Sequence, residues 1–335
     1  MEDLSGQVLL GFDIKARKIT KEKSHYILST NKGMRTIRAA GAASNESKEH
    51  ILFQHAIKER MYENGFPDTD RFYLAADGLP YCEHDGAVYV MTDALNGREL
   101  DFSDENAVMG AVRALARMHK AAQGLRAPAG FTAREDYADE LKRDIARLRL
   151  IKKRVNAQRR LYDFDVLFLR NFEFYTGQLE LCLSELNPES LRAAEARAAE
   201  LGMICHNAVK EKNMLTPPDK TPDRTKIHII NFSEAHARHV CADISAFVQR
   251  YGKACPARRV SANKLLDAYT DINPLTQAEA SILKPLIRRP NRFLKACEQY
   301  YDKKRTWTPG VISARIEETV RDKCGYAAYV DEFKV

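Results

Sequence analysis

The seven cysteines of this 335-residue chain contain no C-x-x-C pair and are odd in number, which argues against both a disulfide framework and a zinc site. Cys82, Cys182, Cys205, Cys241, Cys255, Cys297 and Cys324 are scattered and read mostly as small buried hydrophobes. No apolar run approaches membrane-spanning length. The opening Met1-Glu2-Asp3-Leu4-Ser5-Gly6 lacks the basic and apolar regions of a secretory signal, so the expectation is a soluble chain made in the cytosol, with no membrane insertion. Basic residues show no aromatic interleaving, and the formal charge of +7 is small beside 53 Lys+Arg and 46 Asp+Glu. Nucleic acid is therefore not expected as a partner. There is no internal repeat and no low-complexity tract.

What is present is a globular composition, 44% hydrophobic, enough for one elongated domain or two lobes. Alternation around Gly11-Phe12-Asp13-Ile14-Lys15 and His25-Tyr26-Ile27-Leu28-Ser29-Thr30, with a turn at Asn31-Lys32-Gly33 into Arg35-Thr36-Ile37-Arg38, predicts a hairpin of strands. Helical spacing of Ile51, Leu52, Ala56, Ile57 and Met61 predicts a helix over 49–63, closed by Gly65 and Pro67. Two further strands are expected near Phe72-Tyr73-Leu74 and Ala87-Val88-Tyr89-Val90-Met91, with turns at Asp77-Gly78 and Asp85-Gly86. Helical periodicity then covers 106–121, 136 to about 186, and 188–201. Strands, one helix, strands and a long helical remainder make an α+β plan with two unequal lobes. The basic stretch Lys152, Lys153, Arg154, Arg159 and Arg160 reads as a solvated face. Tyr162, Phe164, Phe168, Phe172, Phe174 and Tyr175 read as core.

The chemistry is concentrated in Cys205-His206-Asn207-Ala208-Val209-Lys210-Glu211-Lys212-Asn213. Its layout is H-x-A-x-x-x-x-N, where phosphotransferases of the kinase type use H-x-D-x-x-x-x-N. A carboxylate in that loop orients the attacking hydroxyl, and the amide five residues on holds a magnesium ion bound to the phosphates. Here Ala208 stands in the place of the carboxylate. The strand Ile227-His228-Ile229-Ile230 runs into Asn231-Phe232-Ser233, where the kinase plan ends the strand on a metal-bridging Asp. Asn231 offers an oxygen without the charge on which magnesium sites rely, and Glu234 is out of register. The strand position expected to present a Lys to the phosphates is Arg38, an exchange that loses the compact ammonium; Glu59 is its expected partner, with Glu49 as the other option. Gly6, Gly11 and Gly33 do not form a G-x-G-x-x-G loop.

Together these residues resemble the CotS-like spore coat proteins, relatives of aminoglycoside and choline phosphotransferases. The resemblance runs from about Gly6 to Phe333. It rests also on Tyr62-Glu63-Asn64-Gly65-Phe66-Pro67, Asp77-Gly78-Leu79-Pro80-Tyr81, Asn96-Gly97-Arg98-Glu99, Ala114-Leu115-Ala116-Arg117-Met118-His119-Lys120-Ala121 and the C-terminal Pro290-Asn291-Arg292-Phe293, Tyr300-Tyr301 and Lys304-Arg305-Thr306-Trp307. It implies a two-lobed protein-kinase-like fold of the aminoglycoside phosphotransferase type, with a small antiparallel-sheet N-lobe over 1–92 and a mainly helical C-lobe over 93–335. It further implies a place in or around the spore coat, reached from the mother-cell cytoplasm, with other spore coat proteins as partners. Asp243 matches a later Asp of the family that ties the catalytic loop to the helix behind it; read alone, it is equally an exposed or N-cap carboxylate.

Two functions are open at this level. One is a structural pseudokinase whose loop His206, Ala208, Asn213 is degenerate and whose vestigial nucleotide pocket, Arg38, Glu59, Asn213 and Asn231, requires no cofactor but allows residual ATP binding. The other is an active ATP-dependent phosphotransferase acting on a small hydroxyl compound, a carbohydrate or a coat protein. The basic residues Arg288, Arg289, Arg292, Lys303, Lys304 and Arg305 are candidate contacts for acidic coat proteins or a solvated face. Trp307 is either packed beneath the helix end or an interface anchor.

Overall fold

A computed structural model describes residues 6–22, 24–40, 46–132, 137–218, 226–302 and 309–334. The chain separates into two compact units, one of Met1–Ala133, Ala198–Val240 and Asp271–Asn273, the other of Arg134–Arg197, Cys241–Thr270 and Pro274–Val335.

The first unit begins with a short helix α1 (Gly6–Gly11), followed by β1 (Ala16–Glu22), β2 (His25–Thr30) and β3 (Gly33–Ala40). Helix α2 (Lys48–Glu63) precedes β4 (Cys82–His84) and β5 (Ala87–Asp93), and the five strands form an antiparallel sheet in the order β1-β2-β3-β5-β4. The segment 11–15, expected as strand, is a helix end and a turn; β1 starts at Ala16. Around Phe72 the expected strand is reduced to a single bridge, Phe72 to Thr92. The 25–38 hairpin and the 87–91 strand stand as expected. One side of the sheet packs through Leu28, Ile37 and Met91 against Val8 and Phe12. The other packs through Val90 against Ile51 and Phe72. Ser47 caps α2 by accepting from the His50 N–H, a contact worth about 1 kcal/mol.

The same unit continues with β6 (Arg98–Glu99), α3 (Glu105–Ala121), β7 (Ile204–Cys205), a 3-10 turn at Glu211–Asn213, β8 (Met214–Thr216), β9 (His228–Ile229) and β10 (His236–Ala237). These short strands make two ribbons, β10-β7 and β6-β8-β9. Gly97 lets β6 approach β8: a Cβ there would lie 2.8 Å from the Thr216 carbonyl oxygen. Residues 219–225, between β8 and β9, lie outside the described residues.

The second unit is helical: α4 (Tyr137–Asn156), α5 (Asp163–Glu185), α6 (Pro188–Leu201, whose last turn belongs to the first unit), α7 (Cys241–Ala254), α8 (Ala262–Thr270), α9 (Gln277–Arg288), α10 (Asn291–Tyr301), α11 (Pro309–Arg321) and α12 (Lys323–Asp331). The periodic stretch 136–186 is thus two helices, broken at 157–162. Phe164, Phe168, Phe172 and Tyr175 are buried as expected. Phe168 and Tyr175 both stack on Phe293, whereas Tyr162 is exposed. On the basic stretch, Lys152 pairs with Glu173 at 2.5 Å, while Lys153, Arg154, Arg159 and Arg160 are exposed. Four cysteines are buried and Cys324 is exposed. No helix among the described residues is long and apolar enough to cross a membrane.

The C-terminal arginines do not form the exposed basic surface expected of them. Arg288 is 2% exposed and donates to both Glu185 oxygens at 3.0 Å and to Asp331 at 2.8 Å. Arg289 pairs with Glu140 and Asp144, and Arg292 with Glu318 at 3.6 Å. A guanidinium offers five donors in a fixed fork, so it can tie several elements together from within. Lys303, Lys304, Arg305 and Trp307 lie outside the described residues.

Candidate functional site

Two short strand ribbons deliver the loop residues. His206 follows β7, Asn213 immediately precedes β8, and Asn231 follows β9, which pairs with β8. The His206 ring is fully buried and bonded on both edges. The Ala208 N–H donates to Nδ1 at 3.2 Å, which leaves the ring proton on Nε2, 2.9 Å from the Ile230 carbonyl. Phe232 closes on the ring edge with centroids 4.7 Å apart. Asn213 donates its amide to the Ala208 carbonyl at 2.8 Å, closing the loop across five residues, and its backbone carbonyl accepts from the Ile230 N–H at 3.0 Å. Asn207 and Asn231 hold φ of 55° and 65°, left-handed conformations that asparagine tolerates better than most residues. The exchange at Asn231 thus keeps a side chain suited to that backbone shape while removing the charge.

The structure brings His206, Ala208, Asn213 and Asn231 together. Asn231 Nδ2 faces Asn213 Oδ1 at 3.4 Å, and the Ala208 methyl is buried. The carboxylate found next to Asn231 is one that sequence reading passed over, Asp70. Its two oxygens lie 3.3 and 3.4 Å from the Asn231 N–H. It is already paired: the Lys58 ammonium is 2.9 Å from Oδ1 and 2.8 Å from the Asp70 carbonyl. Lys58 is 1% exposed, lies over the Phe72 ring at 4.4 Å and over Phe232 at 5.6 Å, and its pKa is pushed down by burial against the opposing pull of Asp70. Lysine is rarely this buried, so periodicity alone gives no warning of it.

Arg38 finds neither expected partner. Its guanidinium grips Glu46 with two bonds, of 2.6 and 2.9 Å. Gln54 of α2 donates to the same carboxylate at 2.6 Å. Burial would raise the Glu46 carboxyl, but the Arg38 hydrogen bonds and charge hold it below its ordinary value. Glu59 instead pairs with Arg71 at 2.6 Å, and Glu49 is exposed in the first turn of α2. The reason is helical spacing: Gln54 and Lys58, four residues apart, share a face of α2, whereas Glu59 is turned away from it. Among the described residues there is no glycine-rich phosphate cradle. Strands β1 and β2 are paired as far as Glu22 and His25. Asp243 is buried in the first turn of α7, which rules out the exposed reading.

This donor set is a poor fit for a magnesium–nucleotide anchor. Such anchors rely on carboxylates with free lone pairs; here two neutral amides face one another, and the adjacent carboxylate is neutralised from within by Lys58.

The family model "Spore coat putative kinase YutH" matches residues 7–333. The chain belongs to this family. The spore coat resemblance seen in the sequence therefore holds across the whole YutH-type chain. None of the curated proteins compared with it matches. Among solved structures, an aminoglycoside phosphotransferase from Alicyclobacillus acidocaldarius superposes with a TM-score of 0.85 at 15% identity, covering 99% of this chain and 95% of its own. The AMP-bound complex of spectinomycin phosphotransferase APH(9)-Ia gives 0.67 at 11% identity, covering 98% and 97%. Amicoumacin kinase hAmiN, in complex with AMP-PNP, Ca2+ and Ami, gives 0.60 at 12%, covering 98% and 94%. At these identities the likeness establishes the fold: this YutH-family chain has the aminoglycoside phosphotransferase-like kinase fold.

Proposed function

We propose that this spore coat family member is a structural pseudokinase that acts by binding other coat proteins during coat assembly. The observation carrying the reading is the pairing at the vestigial site: Ala208 and Asn231 stand where phosphoryl transfer needs carboxylates, and Lys58 occupies Asp70. A positioned base is worth about 10² to 10⁴ in rate, so Ala208 by itself leaves room for a slow enzyme. Loss of the metal-bridging charge removes in addition the electrostatic stabilisation on which phosphoryl transfer depends. No cofactor is required in this reading, and any residual ATP binding is independent of magnesium.

In this proposal the chain is made in the mother-cell cytoplasm and captured by partners on the forespore surface. A fluorescent fusion followed through sporulation tests it. The expected result is mother-cell signal that gathers into a shell on the spore; a fusion that stays diffuse overturns the assembly role.

A further inference from the structure

The helical unit holds a partly open cavity of about 50 Å³ lined by residues of α5, α7, α9, α10, α11 and α12. One water needs about 10–15 Å³ of such volume, so the space suits a small polyatomic ion better than a drug-sized molecule. Its walls carry more positive than negative charge: Lys253, Arg258, Arg288, Arg292 and Lys323 against Glu318 and Asp322.

Ion pairing within the unit absorbs the arginines. Arg258 pairs with Asp322, Arg292 with Glu318, and Arg288 with Glu185 and Asp331. Two lysines remain without a carboxylate among the described residues. Lys323 donates to the Asn171 amide oxygen and lies over the Phe174 ring at 5.0 Å. Lys253 has no hydrogen bond or ion pair among them; its ammonium lies over the Tyr326 ring at 5.0 Å. Lys253 is half-buried, and a ring face offsets only part of what it costs to take an ammonium out of water. Burial, and then the Arg292 charge, push its pKa down to about 7. An anion in the cavity would supply the missing partner.

We propose that this cavity binds a small oxyanion of the phosphate type, held between the Lys253 and Lys323 ammonium groups. The aromatic rings of Phe174 and Tyr326 line the same space. Both a free oxyanion and the oxyanion head of an aryl compound share the required chemistry. The site is independent of the vestigial kinase loop, all of whose residues belong to the other unit.

The test is competitive labelling of the wild-type full chain with a trace of acetic anhydride near neutral pH, read by mass spectrometry at each lysine. Inorganic phosphate is expected to lower acetylation of Lys253 at least threefold relative to exposed Lys18, while sodium chloride at equal ionic strength leaves the ratio unchanged. Phenyl phosphate forms a second arm: protection by inorganic phosphate alone assigns a bare oxyanion, and protection by both assigns the head of a larger ligand. In a parallel melt, phosphate is expected to raise the Tm of the wild type but not of Lys253→Met. Equal acetylation of Lys253 with and without either phosphate overturns the proposal, whatever the stability of the variant.

Discussion

The Lys58 ammonium lies 2.9 Å from Asp70 Oδ1, and that carboxylate also faces the backbone N–H of Asn231. A charge pair with a buried lysine and a half-buried aspartate therefore sits directly beside the strand-ending asparagine. Removing the lysine leaves a half-buried carboxylate without its cation, at a cost of about 3 kcal/mol, the low end of the range for buried pairs. Lys58→Met is expected to lower stability by about that amount in urea unfolding. The double variant with Asp70→Asn should recover part of the loss, because the asparagine oxygen can still accept from Asn231 and no charge remains. A cost below about 1 kcal/mol for Lys58→Met would mean that the pair does not hold the site.

Restoring the charge at the strand end should behave differently. Asn231→Asp places a second carboxylate beside Asp70, and two carboxylates in one place need a cation or a proton. The variant is expected to be less stable than wild type in chelator and to regain stability with magnesium and ATP. Adding Ala208→Asp should not increase that gain, since the methyl it replaces is buried and a carboxylate there must be desolvated. Thermal melts of both variants with EDTA, magnesium and magnesium–ATP check this; a response absent from both would show a collapsed pocket.

Part of the acid sensitivity should be traceable to His239, the histidine most strongly shifted by burial. His239 is 2% exposed, and neither ring nitrogen has a hydrogen-bond partner among the described residues. Burial, reinforced by the Arg238 charge, pushes its pKa down to about 4 from an ordinary 6.5. The unfolded chain therefore takes up a proton between pH 6.5 and 4 that the folded chain refuses, so stability falls as pH drops through that window, by about 3 kcal/mol from this group. His239→Phe should flatten the difference between stability at pH 6.5 and at pH 4. An unchanged slope would assign the acid loss to other groups.

Arg288 should prove internal to the fold and not a partner contact. Replacing it by Glu puts a like charge against Glu185 and Asp331 at a position 2% exposed. The expected outcome is loss of folded protein in circular dichroism. A well-folded Arg288→Glu chain with weakened capture on spores would restore the surface reading.

Element order, the α2 helix and the meeting of His206 with Asn231 were legible because period, turn residues and motif spacing are local signals. The Arg38 partner was not. Glu46 lies before the helix, where no periodicity marks it, and the search for a helical glutamate pointed to Glu59, on another face. Lys58 and Asp70 were hidden for a related reason: a lysine in a helix and an aspartate in a loop read as surface until packing shows both against Phe72 and Asn231. The C-terminal arginines misled in the same way, since their acidic partners come from α4, α5, α11 and α12, distant in sequence.

Whether this fold still transfers phosphate is decided by titrating the purified chain with ATP, with and without magnesium, while following both melting temperature and release of labelled γ-phosphate. The expected result is no magnesium-dependent increase in Tm beyond that of magnesium alone and no phosphate released above the protein-free control. Magnesium-dependent turnover of ATP that disappears in Asn213→Ala would contradict it.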